Sequence, residues 1–360
     1  MPSSTPWKHM KTRALAVGTA LAALYATAAS AQEPGAPSYD TYKSWLVACD
    51  NGLTCEAKGL ANGGETGADL RFIRSAGPSG ALTVRLSVAT NTSINLDDLR
   101  VDDAPLRLDD SAWSEKFDDG IATLSTTQPA AVAAFVSRLR NGTKLQFGED
   151  AGAYVPLDGM VAALLRIDDR QGRIGGTTAL IRKGPAPASQ VTPAPSLPVV
   201  PKRKITSQLS DQEEEHLIAR AKRIRDAGSC EENASRYLHE AAYALDKHNA
   251  LVFLPCIMGA YQGSSDVFIA PRIGGGKPEP VKLPIPEGGF SDPSLVEPDF
   301  DPATGTLSTF GKGRGLADCG FQASWIWDGH AFRMSAVSQQ KTCGGVQGGD
   351  WPTLYRSRTK

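Results

Sequence analysis

After Ala31 the chain holds no apolar run of the roughly 20 residues that a membrane-spanning helix needs. It also lacks charge of one sign: 38 Lys and Arg stand against 39 Asp and Glu. A nucleic-acid binder shows a basic excess, so nucleic acid is excluded as a partner. No two of the 6 cysteines have C-x₂₋₄-C spacing, which removes both the usual structural zinc pair and the redox C-x-x-C. There is no H-E-x-x-H, no G-x-S-x-G and no G-x-x-x-x-G-K-[ST]. Zincin, serine-hydrolase elbow and P-loop chemistry are therefore not indicated. No catalytic residue, metal ligand or cofactor site is assigned on this reading.

What is present begins with an address. Lys11 and Arg13 precede an apolar stretch from Ala14 to Ala29, and Ala29-Ser30-Ala31 follows. Positive segment, short apolar core and an A-x-A end together are a secretory signature. Residues 1–31 are read as a signal peptide cut between Ala31 and Gln32, with Met10 as an alternative start. The expected location is the periplasm or the exterior, and no cysteine near the junction offers a lipid anchor. In an oxidising compartment an even cysteine count reads as disulfides. The cysteines cluster in sequence as Cys49 with Cys55, Cys230 with Cys256, and Cys319 with Cys343.

The fold class expected is α+β in two domains. Residues 39–183 read as an antiparallel, β-sandwich-like sheet with two helices. Trp45–Cys49, Asp69–Arg74, Ala81–Ala89, Leu99–Leu108 and Gly120–Ser125 are its strands. Leu82, Val84, Leu86 and Val88 alternate with Thr83, Arg85 and Ser87, which gives one buried and one wet face. Helices follow from Pro129 and from Asp158, the latter read as a cap. Residues 184–204 form a Pro/Ala-rich linker. Residues 205–360 open with a helix capped by Ser210 and Glu213, then a second helix over Cys230–His248, then strands and hairpins. Asp328-Gly329 is the clearest hairpin turn, and Cys319 and Cys343 bracket that hairpin.

Candidate chemistry is sparse. His216, His239, His248 and His330 read as surface or capping residues. The adjacent acids Asp97-Asp98, Asp102-Asp103, Asp109-Asp110, Asp118-Asp119 and Asp168-Asp169 read as surface carboxylates rather than a facing glycosidase pair. Asp299 and Asp301 form an incomplete calcium turn. Gly311-Lys312-Gly313-Arg314-Gly315 offers either an anion-binding loop or a plain hairpin turn. Trp325 and Trp327 fall on one strand face, as core or as an exposed aromatic patch. Lys312, Arg314, Trp325 and Trp327 are the candidate ligand-binding residues.

Three stretches carry a resemblance. They are Trp45-Leu46-Val47-Ala48-Cys49-Asp50-Asn51 with Thr54-Cys55, Pro255-Cys256 with Gly259-Ala260-Tyr261, and the run from Gly311 through Asp318-Cys319-Gly320 and Trp325-Ile326-Trp327-Asp328-Gly329 to Phe332, Cys343 and Asp350-Trp351-Pro352. Together they resemble the exported bacterial family known as domain of unknown function 1176, which implies architecture and no activity. Trp45–Cys49, Arg100-Val101-Asp102-Asp103 and Val155-Pro156-Leu157-Asp158-Gly159 also resemble the exported, β-rich invasion-associated locus B family. The W-x-W-D-G hairpin is similar to periplasmic lysozyme inhibitors. The expected function is a non-enzymatic periplasmic binding or envelope-interaction protein, with an envelope or extracellular protein or a glycan as partner. The alternatives are a lysozyme-type glycosidase inhibitor using Lys312 and Arg314, and a hydrolase of unrecognised type.

Overall fold

Alternating side chains and tight turns build the first half. The computed structural model describes residues 35–359 apart from 62–66, 148–153, 226–229, 232–233, 235–237, 290 and 347. The export segment and its cleavage junction lie outside the described residues. Strands β1 (Ser38–Tyr42), β2 (Trp45–Cys49), β3 (Cys55–Leu60), β4 (Ala68–Arg74) and β5 (Leu82–Ala89) form an antiparallel meander. β6 (Arg100–Val101) and β7 (Ala104–Pro105) make a small hairpin, and β8 (Ser114–Asp118) and β9 (Ile121–Thr126) return to the meander. The resulting 7-stranded sheet has the order β1-β2-β3-β4-β5-β9-β8. Helix α1 (Pro129–Leu139) follows, then β10 (Lys144–Gln146) and β11 (Tyr154–Pro156), which join the small hairpin as β11-β10-β6-β7. Helix α2 (Met160–Arg170) closes this half.

The inner face of the large sheet carries Trp45, Leu70, Phe72, Val84 and Leu86, packed against Val132 and Phe135 of α1 and Leu164 and Ile167 of α2. Trp45 is fully buried, and its indole N–H donates to the Pro156 carbonyl at 2.8 Å. It pairs across the ladder with Gly59. A Cβ on Gly59 would stand 2.5 Å from the Trp45 ring, so this strand position has room for glycine alone.

Several local expectations change. The stretch Leu99–Leu108 is no single strand: Asp102 and Asp103 both have positive φ, 50° and 68°, and turn it into the hairpin of β6 and β7. The Asp102 carboxylate stays at the surface, as read, and there accepts amide hydrogens from Thr143 and Lys144, which anchors the turn. Asp158 does not cap α2. It accepts from the Ser44 hydroxyl, and Gly159 is the cap at φ 98°. A Cβ there would meet the Tyr42 carbonyl at 1.9 Å, which selects glycine on two counts.

In the second half, α3 (Asp211–Ile224) is followed by β12 (Ala241–Ala244), β13 (Asn249–Met258), β14 (Gly263–Pro271), β15 (Glu279–Pro280) and β16 (Ser294–Val296), all in one sheet. The last sheet runs in chain order through β17 (Asp299–Asp301), β18 (Thr306–Lys312), β19 (Gly320–Trp327), β20 (Phe332–Gln340) and β21 (Thr353–Arg356). Ser210 caps α3 through the Glu213 amide at 3.3 Å, while the Glu213 carboxylate goes to Arg272 instead of back to the cap. The helix expected over Cys230–His248 is overturned at its end, where Ala241–Ala244 form β12. The Asp246 carboxylate accepts from His248 and Asn249 amides and turns the chain back on β13. Ala242 and Ala244 thereby face inward, Ala242 against α3. Long-range pairing overrides the helical preference of an alanine-rich stretch.

Among the described residues the architecture is mostly β, with four antiparallel sheets and the helices α1, α2 and α3. The chain's end returns to its beginning. Asn51 donates to the Arg356 carbonyl at 3.0 Å and accepts from its amide at 2.9 Å, and Arg356 pairs with Asp50. Within 184–204, Val191 and Val200 are buried, and Val200 donates to the Arg358 carbonyl at 2.9 Å. Ala48 of β2 belongs to the same buried apolar cluster as Leu251, Trp325 and Leu354, so the halves share one core.

Candidate functional site

Helix α2 ends in side chains that fasten the following loop over the end of β4. Gln171 donates to the carbonyls of Leu53 and Arg74 at 2.8 and 3.0 Å. Arg173, fully buried, reaches the Gly77 carbonyl at 2.7 Å and the Thr178 hydroxyl at 3.0 Å. Asp168 is also fully buried and accepts the amides of Leu180 and Ile181 at 2.8 and 3.0 Å. Asp168 is thus no surface carboxylate, because the two amides it satisfies lie across the loop from its helix.

These bonds frame a half-enclosed cleft of about 370 Å³, within the range of small-molecule sites, about 300–1,000 Å³. Its apolar walls are Pro78, Leu82, Val132, Val136, Ala179 and Leu180. Arg74 lines it too. That residue is only 8 % exposed, yet its side chain donates no hydrogen bond to any described residue, and its Nε is sealed from solvent. Burial lowers the Arg74 pKa, and Asp168 offsets that only in part. Arg173 is pushed down to about 10, first by burial and then by Arg74. Two guanidiniums therefore face a single carboxylate that is already engaged by two amides. Lys183 and Thr177 also line the cleft, as does Pro129, where α1 starts without a side-chain cap. The positive end of that helix adds to the field. Among the described residues no His, Cys, Asp or Glu lines the cleft, and its charged lining groups, Arg74 and Lys183, suit an anion.

A second charged cluster covers the outer face of the large sheet. The register places Lys58, Arg71 and Arg85 side by side across β3, β4 and β5. Like charges in a row are unfavourable, and three acids compensate. Asp69 pairs with Arg71 at 2.7 Å, Glu56 with Arg71 at 3.2 Å, and Asp350 with both Arg71 and Arg85 at 2.8 Å. Lys58 donates to Gln340 at 2.7 Å, and Gln340 in turn holds the carbonyls of Asp318, Thr342 and Gly344. The face of β5 expected to be wet is therefore covered by the carboxyl-terminal segment. Every charge in this cluster has a partner, which marks it as a joint of the fold.

The residues selected from sequence lie elsewhere. Trp325 and Trp327 are 0 % and 2 % exposed and belong to the core, with the Trp325 indole donating to the Pro284 carbonyl at 2.8 Å. Arg314 is committed to Asp318, and the Lys312 amide donates to Gln262 at 2.9 Å. Asp301 accepts from Ala303 and Thr304 within its own turn. The three disulfides are Cys49–Cys55, Cys230–Cys256 and Cys319–Cys343. Among the described residues, the two groupings of possible metal ligands are each built on a disulfide, Cys230–Cys256 with Asp266 and Cys319–Cys343 with Asp318. Their sulfurs are not thiolates and so are poor ligands. Arg74 and Lys183 escaped notice because nothing in their sequence neighbourhoods marks them. They meet only through the fastening made by Asp168, Gln171 and Arg173.

Fold and site together describe a disulfide-bonded, antiparallel β-rich protein with an arginine-bearing cleft. The family described as protein of unknown function (DUF1176) matches residues 39–358, and the chain belongs to it. The uncharacterized protein YpfG of Escherichia coli (strain K12) is 31% identical over 335 residues, which is 90% of this chain and 94% of that protein. No solved structure matches the chain.

Proposed function

We propose that the chain is a non-enzymatic binding protein of the bacterial envelope, exported to the periplasm or beyond after cleavage at Ala31. The observation that carries this reading is the cleft with a buried Arg74 whose side chain donates no hydrogen bond to any described residue. Three disulfides fit an oxidising compartment, and no described helix is long and apolar enough to cross a membrane. A hydrolase would need facing carboxylates or a histidine in the cleft. A lysozyme-type inhibitor would present Arg314, here half-exposed and paired with Asp318, to an acidic groove.

The test is a thermal-shift screen of protein recovered from the periplasm, against envelope metabolites and glycan fragments. A true ligand at about 100 times its Kd stabilises by roughly 2.7 kcal/mol, which a melting curve resolves. The same preparation should begin at Gln32. Turnover of any screened compound, or a screen without a single shift, would sink the reading.

A further inference from the structure

We infer that the Arg74 cleft takes a small amphipathic monoanion, a carboxylate carried on an apolar body, with the carboxylate on Arg74 and the body between α1 and the Leu82 and Leu180 walls. This rests on the binding-protein reading and names its ligand.

The first ground is charge balance. A buried charge is retained in folded proteins when it is paired, and an unpaired one costs several kcal/mol. Asp168 is the acid acting on Arg74 and Arg173, and its oxygens already accept from Leu180 and Ile181. Arg173 spends its donors on Gln171, Thr178 and Gly77. The Arg74 side chain donates to no described residue, and its Nε is sealed from solvent. Among the described residues the two buried guanidiniums outnumber the one carboxylate that faces them, and the guanidinium fork matches a carboxylate in two-pronged geometry.

The second ground is the shape of the lining. Apart from Arg74, Lys183 and a few hydroxyl residues, the walls are aliphatic. A bare inorganic anion would leave them wet, while an apolar body would bury them. The third is the start of α1, which adds a positive dipole end beside the cleft with no side chain to satisfy it. A neutral or cationic amphiphile would gain the walls and leave Arg74 unpaired.

Titration calorimetry on the mature chain tests this with three probes of one chain length: octanoate, octanol and octylammonium. Octanoate is expected to bind at least 10-fold more tightly than octanol, and octylammonium not at all. Arg74→Met should erase the preference by weakening octanoate at least 10-fold while leaving octanol unchanged. The same variant should melt no lower than the parent, because the uncompensated charge is gone. Ala133→Trp, at an exposed helix position lining the cleft, should abolish both interactions. Equal binding of octanoate and octanol would overturn the anion while keeping a binding cleft. Octanoate affinity unchanged by Ala133→Trp would place its site elsewhere and overturn this inference. Failure of all three probes, with a shift from another compound in the wider screen that Ala133→Trp leaves intact, would do the same while sparing the binding-protein reading. Silence in both experiments would remove both.

Discussion

Single positions in this chain are constrained by what crosses them. Gly59 lies under the Trp45 ring with no space for a methyl group. Gly59→Ala is expected to displace the indole from its bond to Pro156 and to lower stability by about 1–3 kcal/mol, as overpacking does. Urea denaturation of the parent and variant measures it, and an unchanged midpoint would mean the strand can bow away. The strand Trp45–Cys49 was legible in the sequence as a short apolar run. The glycine opposite Trp45 was not, because the pairing needs the register of β2 and β3. Arg74 shows the same limit. Its role depends on the absence of partners, and absence is visible only once the fold has shown which groups reach it.

At the level of elements, local patterns were read well where they act locally. The Ser210 cap, the alternation in β5 and the hairpin around Asp328 depend on neighbours a few residues away. The segment 241–244 failed because its fate rests on β13, not on its own composition. Disulfide pairing was legible because each pair is close in sequence and each joins adjacent segments. Cys319–Cys343 closes a span of 24 residues around the β19–β20 hairpin. Gln340 stitches the same loop through three carbonyls. Replacing both cysteines by serine is expected to cost about 2–4 kcal/mol. It should also speed hydrogen exchange at the Gly344 and Gly349 amides, which donate to Asp318 and Ala317. Exchange mapped by mass spectrometry decides whether the loosening stays in this loop or spreads to Asp350 and the outer face of the sheet.

For the whole molecule, acid acts with two signs. Burial raises the carboxyls of Asp50, Glu56, Asp168 and Asp266, so these groups take up protons in the fold more readily than in the open chain. Asp328 goes the other way. Burial opposes its charge, but the Ala331 and His330 amides and the Arg333 guanidinium outweigh this and bring it down to about 2. A depressed carboxyl stabilises fully above its unfolded pKa of about 3.9, and that share is lost as pH falls through the folded value. Asp328→Asn is therefore expected to be less stable than the parent at pH 6 by on the order of 1–2 kcal/mol, after allowance for partial solvent exposure. The gap should close between about pH 4 and pH 2. Urea midpoints across that range check the sign; a gap that persists at pH 2 would mean the asparagine loses geometry rather than charge.

The return of the carboxyl-terminal segment to the first strands also sets an order of events. Lys58, Arg71 and Arg85 are brought side by side by strands formed early in the chain, yet Asp350 comes some 265 residues after Arg85. Until that residue emerges, pairing β3, β4 and β5 gathers three positive charges against only part of their counter-charge. A nascent chain thus meets repulsion where the finished one finds attraction, and contacts so distant in sequence form slowly. The segment around Asp350 thus completes the charge balance of strands laid down far earlier in the chain. A product truncated before Asp350 would lack the acid that Arg71 and Arg85 share, and would stay open to proteases that the full-length protein resists.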